Sequence, residues 1–280
     1  MSFLKKILNK NSLAVKKNTI KPQYLNGQYI YDLIAEKRLH NALDLLDQYQ
    51  NSFVSEDLLE FGEAFFDHQL VDHALIYFKK ASDQNNAIAY EWLGSIYQHL
   101  YKFKNLDLAQ KYYFESVQLG NIHAYIGLAD LYIEESDYID LEKSYEFSNL
   151  ALSNNLFQAL YYQGKYHAER GEYDLSFHAF NKLKDYDLLT SSAYGLSLLY
   201  YHYKNSPYYN PQKALDILEK TIEKGNEPER FSFLADFYIA ETPYRNEAQA
   251  IQLYSIGMQQ GCLYSENKIH KLRAKKFSSQ

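Results

Sequence analysis

The stretch Ala87 to Asn121, AIAYEWLGSIYQHLYKFKNLDLAQKYYFESVQLGN, decides the fold. Ala89, Leu93, Gly94 and Tyr97 fall on one side of a helix that turns every 3.6 residues. After the polar turn Lys102 to Asn105, a second helix carries Ala109, Tyr113 and Ser116 on one face, at i, i+4 and i+7. Gly120-Asn121 then supplies a left-handed residue to close it. The small residues let two helices approach closely, and the aromatics fill the volume that is left.

The same spacing returns on both sides of this stretch. The small position of the second helix reads Ala74, Ala109, Ser144, Ser176, Ala214 and Ala250, at intervals of 35, 35, 32, 38 and 36 residues. The small position of the first helix reads Gly62, Gly94, Ala129, Gly164, Ser197 and Ala235. Three residues beyond each of these stand Phe65, Tyr97, Tyr132, His167, Tyr200 and Tyr238. Closing turns recur at Asn85-Asn86, Gly120-Asn121, Asn154-Asn155, Gly225-Asn226 and Gly261-Cys262, whereas the repeat from Phe157 lacks such a pair and ends in Lys184 to Asp187. Fixed-interval self-similarity of this length is the signature of a helical array.

The order Ala, Leu-Gly, Tyr, then Ala, aromatic, small, then Gly-Asn resembles the sel-one-like branch of the tetratricopeptide superfamily. The resemblance covers about Asn26 to Met258, with Ser197 and Ala235 standing where Gly is expected and His167 where Tyr is expected. It implies an all-α fold, a right-handed α-solenoid of about seven helix-turn-helix repeats with terminal capping helices. Residues 1–25 read as a basic N-terminal arm or cap, 26–262 as the solenoid, and 263–280 as a C-terminal capping helix and tail. The first unit, from about Gly27 to Asn51, keeps only Ala42 and an apolar stripe.

Composition agrees with a helical array, since only 11 Gly and 5 Pro occur among 280 residues and no Pro interrupts an expected helix. The one cysteine, Cys262, excludes an internal disulfide and favours a reducing compartment. No run approaches the roughly 18 apolar residues of a membrane span, and Met1 to Asn9 is interrupted by Lys5 and Lys6, so a cytoplasmic location is expected. Six lysines, from Lys5 to Lys21, precede the first acidic residue, Asp32. Phe3, Leu4, Ile7 and Leu8 share a helical face there, so residues 3–21 are expected either to cap the array or to make weak peripheral contact with a membrane or partner.

Of 29 basic residues against 35 acidic, five follow the last acidic residue, Glu266, so the body between the two basic ends is strongly acidic. That balance repels phosphate backbones, and no basic stripe interleaved with aromatics occurs, which argues against nucleic acid. A protein or peptide that is basic, or that offers aromatic and apolar anchors, fits better. The 29 tyrosines include doublets that cannot all face a core, and Tyr combines a large apolar ring with a polar tip suited to interfaces.

In the resembling family the first helix of each repeat faces a concave groove, with exposed positions three before, one after and four after the small residue. Carried onto this chain, that rule selects as partner-binding residues Glu63, Phe66, Glu91, Gln98, Asp130, Tyr161, Lys165, Tyr194, Tyr201 and Asp236. No catalytic, cofactor or metal residue is assigned: no phosphate loop, nucleophile elbow or paired cysteine occurs, and His68 and His73 are wrongly spaced for one helical face. Glu134-Glu135 reads as a solvated rim at a turn. The expected function is a non-enzymatic adaptor or scaffold that binds a peptide or protein in its concave groove. The alternative is an immunity or inhibitor protein neutralising a toxin, a role some members of the resembling family serve.

Overall fold

The computed structural model describes residues 23–135, 137–224 and 227–278. Lys5 to Lys21 of the expected basic arm, and the closing pair Gly225-Asn226, lie outside the described residues. Fifteen α-helices and no strands are found among the described residues. They are α1 (Gly27–Ala35), α2 (Leu39–Gln48), α3 (Ser55–Asp67), α4 (Val71–Ser82), α5 (Ala87–His99), α6 (Leu106–Gln118), α7 (Ala124–Glu134), α8 (Leu141–Ser153), α9 (Leu160–Glu169), α10 (Tyr173–Lys182), α11 (Leu189–Tyr201), α12 (Pro211–Lys224), α13 (Glu229–Ile239), α14 (Glu247–Gln259) and α15 (Leu263–Ser278). The chain is an all-α solenoid of helical repeats, in which the described helices make seven helix-turn-helix pairs followed by one further helix. It divides into two compact units, residues 1–89 and 90–280, with the boundary inside α5.

Every small position read from the sequence is buried. Ala74, Ala109, Ser144, Ser176, Ala214 and Ala250 are fully covered, as are Ala129, Ser197 and Ala235 in the first helices. In the second unit each first helix packs on its own second helix and also on the next first helix, giving the series α7, α9, α11, α13 and α15.

The two columns are small because large rings sit against them. A Cβ added to Gly94 would lie 2.7 Å from the Tyr113 ring, and one added to Gly127 only 2.3 Å from the same ring. Phe180 is likewise caught between Gly164 and Gly195, at 2.4 and 2.2 Å. One ring of a second helix therefore wedges between two consecutive first helices, each thinned to glycine at the point of contact. Gly127 and Gly195 carry this role although they stand two residues before the small column.

The repeats close as the sequence predicts, with Asn85, Gly120, Asn155 and Gly261 at positive φ. The repeat that lacks a Gly or Asn pair uses Asp187, at φ 59°, for the same turn. Asp tolerates this region better than most residues because its short side chain bonds locally. Within the first unit, Gly27 N–H donates to Glu60 Oε2 at 2.8 Å, tying α1 to α3, and Ala42 is fully buried, so the weakly marked first repeat is a true helical pair. His68 and His73 are engaged by rings, with Tyr31 at 4.3 Å and Phe65 at 5.2 Å between centroids.

Candidate functional site: a polar and aromatic cavity in the second unit

The first helices of the second unit build one wall of tyrosines and carboxylates. Tyr161 on α9, Tyr194 on α11 and Phe233 on α13 occupy the position three before or two before the small residue in successive repeats, so their rings stack across the array. Tyr161 and Tyr194 are 5.9 Å apart at 13°, and Tyr194 and Phe233 are 3.8 Å apart at 8°. Asp130 and Glu134 stand one turn apart on α7, with Glu135 at its end.

Facing this wall is α15, which does more than cover the last repeat. Lys268 Nζ lies 3.2 Å from Asp236 Oδ1, Tyr264 O–H donates to Asp236 Oδ2 at 2.8 Å, and the His270 ring stacks on Tyr101 at 5.1 Å and 7°. That last contact joins the final helix to the short 3-10 turn Tyr101–Phe103, at the opposite end of the same unit. Between α15 and the wall lies an open cavity of about 300 Å³, lined among others by Asp130, Tyr161, Tyr194, Phe233, Asn267 and Lys271. A second cavity of about 230 Å³, lined by Glu91, Ser95 and Tyr113 among others, shares His99, Asp130 and Tyr162 with the first.

Most charges here are paired. Lys104 Nζ lies 2.6 Å from Glu135 Oε2, Lys165 is ion-paired with Glu134, and Lys268 is held by Asp236. Asp130 differs: Gln98 Nε2 donates to its Oδ2 at 2.6 Å, and the nearby His99 Nε2 is 3.6 Å away. Burial, reinforced by Glu134, pushes the Asp130 carboxyl up to about 7. Burial pushes His99 the other way, to about 4, so its imidazole is neutral at pH 7. Burial raises the Tyr113, Tyr161, Tyr162, Tyr194 and Tyr264 hydroxyls well above their ordinary value, with Asp130, Glu134 or Asp236 adding to it, so all five remain donors.

The residues selected by the groove rule are placed unevenly. Glu63 and Phe66 belong to the first unit, half-buried on α3. Glu91, Asp130, Tyr161 and Tyr194 line the cavities of the second unit, while Lys165 and Asp236 sit behind the lining in ion pairs with Glu134 and Lys268. Gln98 and Tyr201 do not face a groove, being 0% and 4% exposed. The physical reason is that the position four after the small residue turns toward the next first helix. Gln98 bonds Asp130 on α7, and the Tyr201 ring meets Phe237 on α13 at 5.3 Å. Glu135 departs from the solvated rim expected at this turn, since its carboxylate is largely covered and paired with Lys104 beside the cavity, while Glu134, the last residue of α7, is exposed and paired with Lys165.

Residues that the sequence did not mark as functional are Phe233, Tyr264, Asn267, Lys268 and Lys271, four of them on α15. Among the described residues no group of three or more His, Cys, Asp or Glu side chains is arranged to hold a metal, and no helix is long and apolar enough to cross a membrane.

The fold so described is that of a class of known structures. The chain is similar to the crystal structure of a Sel1 repeat protein from Oxalobacter formigenes, with a TM-score of 0.51 and 17% identity over 88% of this chain and 75% of that one. It is also similar, at a TM-score of 0.44 and 15% identity over 89% of this chain and 57% of that one, to a protective antigen present in uropathogenic Escherichia coli strains and displaying an SLR fold. No protein-family model matches the sequence, and no curated protein matches it. The chain therefore has the sel-one-like repeat fold expected from its repeated small residues.

Proposed function

We propose that this chain is a non-enzymatic interaction module that holds a segment of another protein against the first helices of its second unit, in the cytoplasm. The observation that carries the reading is the stacked run Tyr161, Tyr194 and Phe233 in the wall of an open cavity of about 300 Å³. Rigid aromatic walls with a few polar groups are what binding hot spots use, since the rings lose little entropy when covered. An array fixed by helix packing also pays little to order its binding surface. Among the described residues of the cavity no hydroxyl or thiol nucleophile is hydrogen-bonded to a histidine base, which favours binding over acyl transfer. The toxin-neutralising alternative has no structural observation that favours it.

The test is a displayed random-peptide library panned on the intact protein, with binding of enriched peptides then measured on wild type and on Tyr161→Ala and Phe233→Ala variants whose helicity matches wild type. Micromolar peptides that lose at least tenfold in affinity on either variant are expected, a factor worth about 1.4 kcal/mol. Enriched peptides indifferent to both substitutions would remove this face as the working surface.

A further inference from the structure

The two cavities of the second unit meet at one carboxylate that is in no ion pair with a lysine or arginine among the described residues. Asp130 lines both, and its polar contacts include the Gln98 amide, the Tyr162 hydroxyl and the near-neutral His99 ring, none of them a cation. Its neighbours are already spoken for, Glu134 by Lys165 and Glu135 by Lys104. The smaller cavity holds a second carboxylate, Glu91, whose Oε2 accepts from Asn121 Nδ2 at 2.6 Å, and among the described residues no lysine or arginine lines that cavity.

An independent observation points the same way. Asn267 is 7% exposed and lines the larger cavity, and among the described residues its side-chain oxygen has no hydrogen-bond partner. A buried acceptor left unpaired is costly, so the site lacks a donor. Aromatic rings complete it: Tyr161, Tyr162, Tyr194 and Tyr264 line the same space, and ring faces attract cations.

We infer that the paired cavities are a receptor for an alkylammonium group, the lysine side chain of a bound protein segment, whose charge is taken by Asp130 and whose N–H groups reach the acceptors around it. This rests on the interaction role proposed above and names the chemistry of its anchor. A primary ammonium supplies three donors and no acceptor, which matches a site of carboxylates, an amide oxygen and phenols. Lys268 and Lys271 border the larger cavity on the α15 side, but Lys268 is engaged by Asp236, and burial together with Lys104 disfavours the charged form of Lys271. The crowding of Glu134 and Glu135 around Asp130 is relieved when a cation arrives.

The experiment titrates three probes into full-length protein, following ring and indole NMR signals: Nα-acetyl-lysine methylamide, its norleucine counterpart, and cadaverine. Each is repeated on Asp130→Asn and Glu91→Gln. The lysine amide is expected to perturb wild type with its affinity reduced more than tenfold on Asp130→Asn, and the norleucine amide to leave the signals unmoved. Equal binding of lysine and norleucine amides, or an affinity unchanged by Asp130→Asn, overturns the inference. Binding of cadaverine without the lysine amide overturns the partner-borne source in favour of free amines. The interaction role fails separately: enriched peptides that bind through Tyr161 and Phe233 but are indifferent to lysine-to-norleucine replacement leave that role standing and sink the lysine anchor.

Discussion

The His99 and Asp130 pair should make the stability of the second unit insensitive to pH over a range where either residue alone would tilt it steeply. Asp130 has its carboxyl raised from 3.8 to about 7. A raised group stabilises the fold fully below its unfolded value and loses that contribution as pH climbs through the folded one, so Asp130 lowers stability by about 1.4 kcal/mol per pH unit between them. His99 is lowered from 6.5 to about 4. Its contribution is present above the unfolded value and is lost as pH falls through the folded one, a slope of the same size and opposite sign. Between about pH 4 and 6.5 the slopes cancel, because the pair carries one proton whether the chain is folded or not. Asp130→Asn should uncover the histidine slope, so that stability rises by about 3 kcal/mol from pH 4 to 6.5 relative to wild type. His99→Gln should uncover the opposite slope, a fall of about 4 kcal/mol from pH 4 to 7. Urea denaturation followed by the fluorescence of Trp92, the only tryptophan, at pH 4.5, 5.5, 6.5 and 7.5 measures these differences. Variant curves parallel to wild type over that range would refute the burial argument for both groups.

Three further outcomes follow from the packing. Gly195→Ala places a methyl 2.2 Å from the Phe180 ring, and such overpacking should lower stability by about 1 to 3 kcal/mol in thermal melts, whereas Gly171→Ala, with no atom within 4 Å of its added Cβ but a φ of 76°, should cost only its backbone strain. Phe180→Ala empties the socket between two glycines and should cost about 3 to 5 kcal/mol by the same assay. At Asp187, φ 59°, Gly should be neutral or slightly stabilising and Val destabilising by about 1 to 2 kcal/mol, measured by chemical denaturation.

The repeat was legible because helix packing writes itself into side-chain volume. Wherever two helices must approach, as at Gly94 or Ser144, only a small residue fits, and that demand recurs with each unit. The site was legible in part. Tyr161 and Tyr194, three before the small residue, and Asp130, one after it, do reach the cavities, but the position four after does not, since Gln98 and Tyr201 are turned into the seam between consecutive first helices. A rule of linear offsets holds no information on that rotation. Nor could it place α15 opposite Tyr101, because that meeting depends on the small rotation between repeats summed over the whole second unit. Glu135 read as solvated for the same reason: Lys104, 31 residues away, is its neighbour only once the repeats stack.

The stack of His270 on Tyr101 gives the second unit a property that an open array does not have. A stacked series of hairpins behaves as a spring, each joint flexing a little and the flexes adding along its length. Here the last helix is clasped to the turn Tyr101–Phe103 through a ring pair, so the spring is a closed loop. Stretching or twisting it must first undo the clasp. Its bending is therefore expected to be set by one aromatic contact at the seam rather than shared among all the joints, and the width of the cavity with it.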